Sequence, residues 1–458
     1  MKRPYKTPVI KASPNIKVKD PHISRVVIFL IKYLGRLYLL LFYGIARMVL
    51  QNEQIFLDVF KRALSKKSRC IIAFRHPNGG EPQILGWFFL FRLKIVAALN
   101  GVKFERRPHA LFVYSYEVVR WGGWIAKFVM PNLGAMPIHH SKIDSKGMAR
   151  INNAIVEGPY PVALAPEGHV TYAADKVRRL EPGVIRIGFQ AAKHLKDKGE
   201  DCPVEILPVS IHFRYGVWGN MNMKMLLKKI EKVCGLSGPD RTKIPFIERI
   251  SQCRQHLLEV NESRFQIKGD DSLSFEERLE KVIYAALETA ERMIGLNSEG
   301  EFFTRFYKLR QLCWDRIFLP EVDSFESMSH VEQSVLDLQT GEAWYISRYQ
   351  ELIDFCWYFR VPLPAEDTAF HNKIEYVQNL WDFASRTMGG AYSNRISIFP
   401  RRVIIRAAPV INLTERLESF KEDKKAAVAT AMEDLEKAYQ HCIDEMNSDT
   451  RWRRKRYI

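Results

Sequence analysis

Cys70-Ile71-Ile72-Ala73-Phe74-Arg75-His76-Pro77-Asn78-Gly79-Gly80-Glu81-Pro82 decides how the chain is read. The apolar run Cys70 to Phe74 predicts a buried strand, Pro77 to Gly80 a turn, and Pro82 the first residue of a helix over Gln83 to Leu99. An imidazole at a strand end then faces a carboxylate at a helix start. Such an acid fixes the tautomer of His76 and raises its basicity, which suits it to take a proton from a hydroxyl nucleophile. Glu81 is the orienting acid in this reading.

Outward from this unit the pattern alternates. Strands are expected at Ala110 to Tyr114, Ala135 to Ile138, Pro161 to Leu164 and Glu205 to His212. Helices are expected at Glu117 to Val129, Lys146 to Val156 and Pro182 to Leu195. This alternation predicts an α/β fold with a largely parallel sheet flanked by helices, its site at the strand ends.

Three further segments follow in order: Gly134-Ala135-Met136-Pro137-Ile138-His139-His140, Ala165-Pro166-Glu167-Gly168-His169, and Leu207-Pro208-Val209-Ser210. Together with His76 and Glu81, they resemble the blocks of the glycerolipid acyltransferase family, whose members include 1-acylglycerol-3-phosphate acyltransferases. That family carries His-x4-Asp, Gly-x-Ile-x-Ile-x-Arg, Phe-Pro-Glu-Gly-Thr-Arg and a short proline block. The resemblance spans Cys70 to His212, and Pro166-Glu167-Gly168 is its most specific part. It implies an O-acyltransferase of phospholipid biosynthesis, moving a fatty acyl group from acyl-CoA or acyl carrier protein to a glycerolipid hydroxyl, without a resident cofactor or metal. His76 and Glu81 would be catalytic, and Glu167 and Gly168 would shape the acceptor pocket. Backbone amides of Gly79-Gly80 or Gly168 are candidates to hold the oxyanion.

The departures bear on the acceptor. Glu81 stands where the family has Asp, one methylene longer. The family arginines fall on His140 and on Val170, after His169, so the guanidinium forks that grip phosphate are missing. Lys176, Arg178, Arg179 and Arg186, around a helix opening at Gly183, are candidates to replace them. This cluster tilts the expectation toward lysophosphatidate. A lysophospholipid or other lipid acceptor is the alternative, and an inactive membrane-binding relative is a third reading.

Composition suits a membrane-surface protein. The 458 residues carry a formal net charge of +17, which draws the chain to headgroups, acyl-CoA or nucleic acid. The seven cysteines, Cys70, Cys202, Cys234, Cys253, Cys313, Cys356 and Cys442, show no paired spacing. This points to a reducing compartment and the cytoplasmic membrane face.

Val26 to Leu50 is mostly apolar, interrupted by Lys32, Arg36 and Arg47. At 100° per residue Arg25 and these three fall within a stripe of about 60°, as an interfacial helix requires, with Gly35 a candidate break. A core helix with snorkelling charges and a tilted span are the alternatives. Residues 1–60 are therefore expected to form a basic segment and membrane-interfacial helix, and 61–215 the α/β core. Residues 216–400 follow as a helical insertion, or as part of a separate C-terminal helical domain. Met221 to Val233 is basic and amphipathic, and Ser274 to Glu277 forms a capping box. Residues 401–450 are expected to supply a closing strand and helix, and 451–458 a basic tail. That tail mixes arginine with aromatics, yet no nucleic-acid motif accompanies it, so membrane lipid is the expected partner and nucleic acid is not. No internal repeat or metal motif is visible.

Overall fold

The alternation around His76 folds into an eight-stranded, largely parallel sheet in a mixed α/β architecture. The computed structural model describes residues 10–15, 17–116, 118–119, 122–139 and 144–448. The strands are β1 (Ile45–Gln51), β2 (Arg69–Phe74), β3 (Leu111–Ser115), β4 (Met136–Ile138), β5 (Val162–Leu164), β6 (Val204–Tyr215), β7 (Arg401–Ala407) and β8 (Ile411–Asn412). Their order is β1-β7-β6-β2-β5-β3-β4, with β8 beside β6. Only the β6–β7 and β6–β8 pairs are antiparallel.

Side chains alternate across β2. Cys70, Ile72 and Phe74 face a core with the helices α1 (Arg25–Tyr43), α2 (Glu53–Leu64) and α3 (Glu81–Leu99). Ile71 and Ala73 face a second core. That core packs helix α5 (Ser145–Val156), helix α6 (Gly183–Asp197) and helix α13 (Lys424–Ser448); α4 (Gly123–Asn132) lies between β3 and β4 in the chain. Phe56, Phe60, Phe74, Phe88 and Phe89 are all essentially fully buried in the first core, each contributing roughly 1.5–3 kcal/mol of burial. α3 contains one wide π turn at Phe88–Arg92.

The topology selects the site. From β2 the chain passes through α3 to β3, beyond β5; from β5 it passes through α6 to β6, on the far side of β2. The two connections run in opposite directions over opposite faces of the sheet, and both leave from the carboxyl ends of the neighbouring strands β2 and β5, where sites of open α/β sheets are built. His76 and Glu167 follow those two strand ends.

The expected helix to Leu50 ends earlier. Gly44 caps α1 with φ +60°, and a Cβ there would lie 2.1 Å from the Phe399 ring. Only glycine fits both the left-handed backbone and that space. Ile45–Gln51 then becomes the edge strand β1, so Arg47 lies on a strand and not on the helical stripe. Arg36 is also lost from the stripe: its guanidinium donates to the carbonyls of Ile45 and Ala46, each at 2.7 Å, satisfying β1 carbonyls that no strand pairs. Gly35 does not break the helix. It admits the Trp87 side chain of α3, which would stand 2.5 Å from a Cβ. The expected region 1–60 is thus divided, since α1, β1 and α2 are built onto the sheet.

The chain forms two compact units, the described parts of Val18–Gly216 with Phe399–Ile458 and those of Met1–Lys17 with Val217–Ile398. The second unit is helical: α7 (Val217–Val233), α8 (Phe246–Arg264), α9 (Phe275–Ile294), α10 (Phe302–Phe318), α11 (His330–Phe359) and α12 (Phe370–Thr387). It contains a repeat that periodicity misses. Glu231, Glu262 and Glu291, near the ends of α7, α8 and α9, each pair through a guanidinium fork with the fourth residue of the next helix. These are Arg249 at 2.8 and 2.7 Å, Arg278 at 2.8 and 2.7 Å, and Arg305 at 3.0 and 2.7 Å. Each of those helices opens Phe-x-x-Arg, at Phe246, Phe275 and Phe302. Each preceding helix closes through a positive-φ residue, Gly235, Gln266 or Gly295. The next amide, from Leu236, Ile267 or Leu296, then bonds the carbonyl of the pairing glutamate at 2.8 Å. The loops differ in length, so no fixed period marks the repeat. All seven cysteines are buried free thiols.

Candidate active site

β2 delivers Arg75 and His76 to opposite sides of its end, as strand alternation demands. The turn after His76 brings Glu81 to the first position of α3, where its carboxylate folds back. Oε2 of Glu81 accepts from His76 Nδ1 at 2.7 Å and from the Gly79 amide at 2.7 Å. With Glu81 a carboxylate, which only accepts, Nδ1 carries the proton and Nε2 is the basic nitrogen. Glu81 is fully buried, while the His76 side chain is 18% exposed. The pair is therefore shielded on the acid side and open on the base side. Glu81 Oε1 is buried with no hydrogen-bond partner among the described residues, so the imidazole and one amide are the donors that hold this charge.

The turn itself is braced from far along the chain. Gly79 has φ +96°, and a Cβ on Gly80 would lie 2.5 Å from the Tyr43 ring. Arg401, buried at the start of β7, donates to Asn78 Oδ1 and to the Tyr43 carbonyl, both at 2.7 Å, and lies over the Phe213 ring. Of the candidate oxyanion donors, the Gly79 amide is committed to Glu81 and the Gly168 amide to the Ala165 carbonyl at 3.1 Å. The Gly80 amide has no such bond among the described residues.

Behind His76, Arg75 and Glu167 form a fully buried ion pair with Nε to Oε1 at 3.4 Å. The other Glu167 oxygen accepts the backbone N–H of His76. The Arg75 guanidinium also donates to the carbonyls of Ala173, Ala174 and Lys176, and the Thr171 amide bonds the His76 carbonyl at 3.1 Å. Glu167 thus holds the strand end through backbone and guanidinium. Gly168, at φ +73°, turns the chain after it. On the same side of β6, buried His212 contacts Ser210 Oγ at 2.9 Å and Asp175 at 3.6 Å. Burial pushes its imidazole down to about 4, so it is neutral near pH 7.

The basic candidates lie on the loop that Arg75 grips and on the helix after it. Lys176, Arg179 and Arg186 are exposed, Arg178 is half-buried, and Arg179 pairs with Glu181 at 3.6 Å. At the ends of β3 and β4, Tyr116 and His139 stack at 4.1 Å, and the His139 amide donates to Asp144 at 3.1 Å. His140 lies outside the described residues, as does the tail 451–458. Among the described residues no cluster of potential metal ligands occurs.

No protein-family model, curated protein or solved structure matches this chain.

Sequence reading passed over Arg75, Arg401, Tyr43 and the Tyr116–His139 stack. Arg75 had one available signal, an arginine adjoining the candidate base at the end of an apolar strand. Tyr43 and Arg401 had none, because the contact joins positions 358 residues apart.

Proposed function

We propose that this chain is an O-acyltransferase working at a membrane surface, transferring a fatty acyl group from acyl-CoA or acyl carrier protein to a glycerolipid hydroxyl, with lysophosphatidate the favoured acceptor. The observation that carries the reading is the buried Glu81 holding Nδ1 of a solvent-accessible His76 at 2.7 Å. The order of the segments around His76, Glu81, Pro166-Glu167-Gly168 and Pro208, and its resemblance to the glycerolipid acyltransferases, names the chemistry. In the proposed step His76 Nε2 takes the hydroxyl proton as the oxygen attacks the thioester carbonyl. Glu81 stabilises the imidazolium. The tetrahedral intermediate then collapses, and the departing thiolate takes the proton from His76, leaving ester, thiol and neutral imidazole. The Gly80 amide is the candidate donor to the oxyanion.

The test offers purified full-length protein labelled acyl-CoA or acyl carrier protein with glycerol-3-phosphate, lysophosphatidate and capped lysophospholipids. Lysophosphatidate should be preferred. Arg178→Ala with Arg179→Ala should raise its KM about tenfold or more, the scale of one or two lost charge-assisted hydrogen bonds. Preference for a capped acceptor, indifferent to those substitutions, would favour the second reading, which the absence of arginine at His140 and Val170 supports.

Among the described residues two helices, α1 and α3, are long and apolar enough to cross a membrane. α1 exposes Val26, Phe29, Leu30, Tyr33, Leu34, Leu37, Leu41 and Phe42 while it docks through Val27, Ile28, Gly35 and Leu39. An apolar face of this extent supports insertion into the acyl layer of a membrane. Deleting residues 1–51 would remove β1 and is a poor test. Leu34→Glu with Leu41→Glu should instead weaken vesicle binding at least tenfold, measured by co-sedimentation, because charge in the acyl layer is costly. Unchanged binding would place the anchor elsewhere.

A further inference from the structure

α7 opens the helical unit and buries Gly219, Met223, Leu226, Leu227 and Ile230 against that unit. Its other side is unlike an ordinary solvated face. Val217 is 89% exposed, Trp218 63% and Met225 60%, with Met221 also open. Lys224, Lys228 and Lys232 are exposed among and beyond them. At 100° per residue these seven residues fall within an arc of about 120°. The apolar ones run from Val217 to Met225 and the lysines from Lys224 to Lys232, so the two sets overlap at Lys224 and Met225. The one acid of the helix, Glu231, is buried in its pairs with Arg241 and Arg249, so nothing on the helix offsets the three charges.

We infer that this face of α7 is a second docking surface, and that its occupant is an anionic lipid bilayer. Tryptophan, valine and methionine are suited to the boundary between headgroups and acyl chains, and lysine to the phosphates above it. Charge complementarity decides for this occupant: a neutral apolar partner would leave three clustered ammonium groups unmatched. The inference goes beyond the transfer reaction, and its test requires no activity.

All seven native cysteines are buried, so an environment-sensitive fluorophore on Met221→Cys in the full chain labels α7 selectively. The probe should shift to the blue with vesicles of phosphatidylcholine containing about a third phosphatidylglycerol. It should shift little with phosphatidylcholine alone, and added salt should reverse the change. A probe on Lys281→Cys, on the exposed side of α9, should not respond. Lys224→Glu with Lys228→Glu and Lys232→Glu should lower affinity for the anionic vesicles at least tenfold, since each cation near such a surface contributes about fivefold. Four outcomes would overturn the inference: a silent Met221→Cys probe on vesicle-bound protein, unchanged affinity in the triple variant, a larger loss for an oligonucleotide than for vesicles, or a probe shift that follows protein concentration without vesicles. The last would point to a second copy of the chain.

Discussion

His76→Ala should lower acyl transfer by about 10²- to 10⁴-fold, the contribution typical of a general base. The geometry adds a complication, because Glu81 is fully buried and His76 is one of the two donors to its Oε2. Alanine leaves that charge to the Gly79 amide alone, which destabilises the turn as well as removing the base. His76→Asn is therefore the companion variant: it offers an amide N–H toward Glu81 but no basic nitrogen. Both should be inactive, and His76→Asn should lose less stability. Glu81→Gln should be badly impaired, since a neutral amide stabilises the imidazolium poorly. Glu81→Asp keeps the charge, shortens the reach by about one bond, and should retain substantial activity. Turnover near the unsubstituted level in folded His76→Ala protein would end the proposed mechanism.

The side of the sheet from β2 to the β4 edge is legible because each strand there carries its own punctuation. β2, β3, β4 and β5 begin and end within one residue of the expected bounds, each a short apolar run next to turn residues. The N-terminal segment fails for the opposite reason. Ile45–Leu50 continues the apolar run of α1, and periodicity does not separate a buried strand from a buried helix. What divides them is Gly44 against Phe399, a contact across 355 residues. Two of the three arginines of the supposed headgroup stripe find other uses, Arg36 on β1 carbonyls and Arg47 on the strand itself. The Glu–Arg forks of the helical unit escape notice because their loops vary while the junction geometry repeats. At the site, His76 and Glu81 are readable as a local pair five residues apart. Their support is not, since Glu167 and Arg401 arrive from other strands.

Arg75→Met should cost about 3–5 kcal/mol of stability, because it strands the Glu167 carboxylate in a fully buried position. It also releases the carbonyls of Ala173, Ala174 and Lys176, and with them the loop carrying the basic candidates. Loss of transfer in this variant alone would not separate unfolding from misplacement. Arg75→Met with Glu167→Met separates them, because it removes both buried charges while keeping apolar volume. Replacing a buried pair in this way is often neutral or stabilising, so thermal or denaturant midpoints should recover much of the loss. Transfer should not recover, since the His76 N–H has lost its acceptor and the base its fixed position. That split, stability restored with activity still low, is the signature of positioning. Recovery of both would mean that the ion pair supports the fold and that His76 is held by Glu81 and its turn alone.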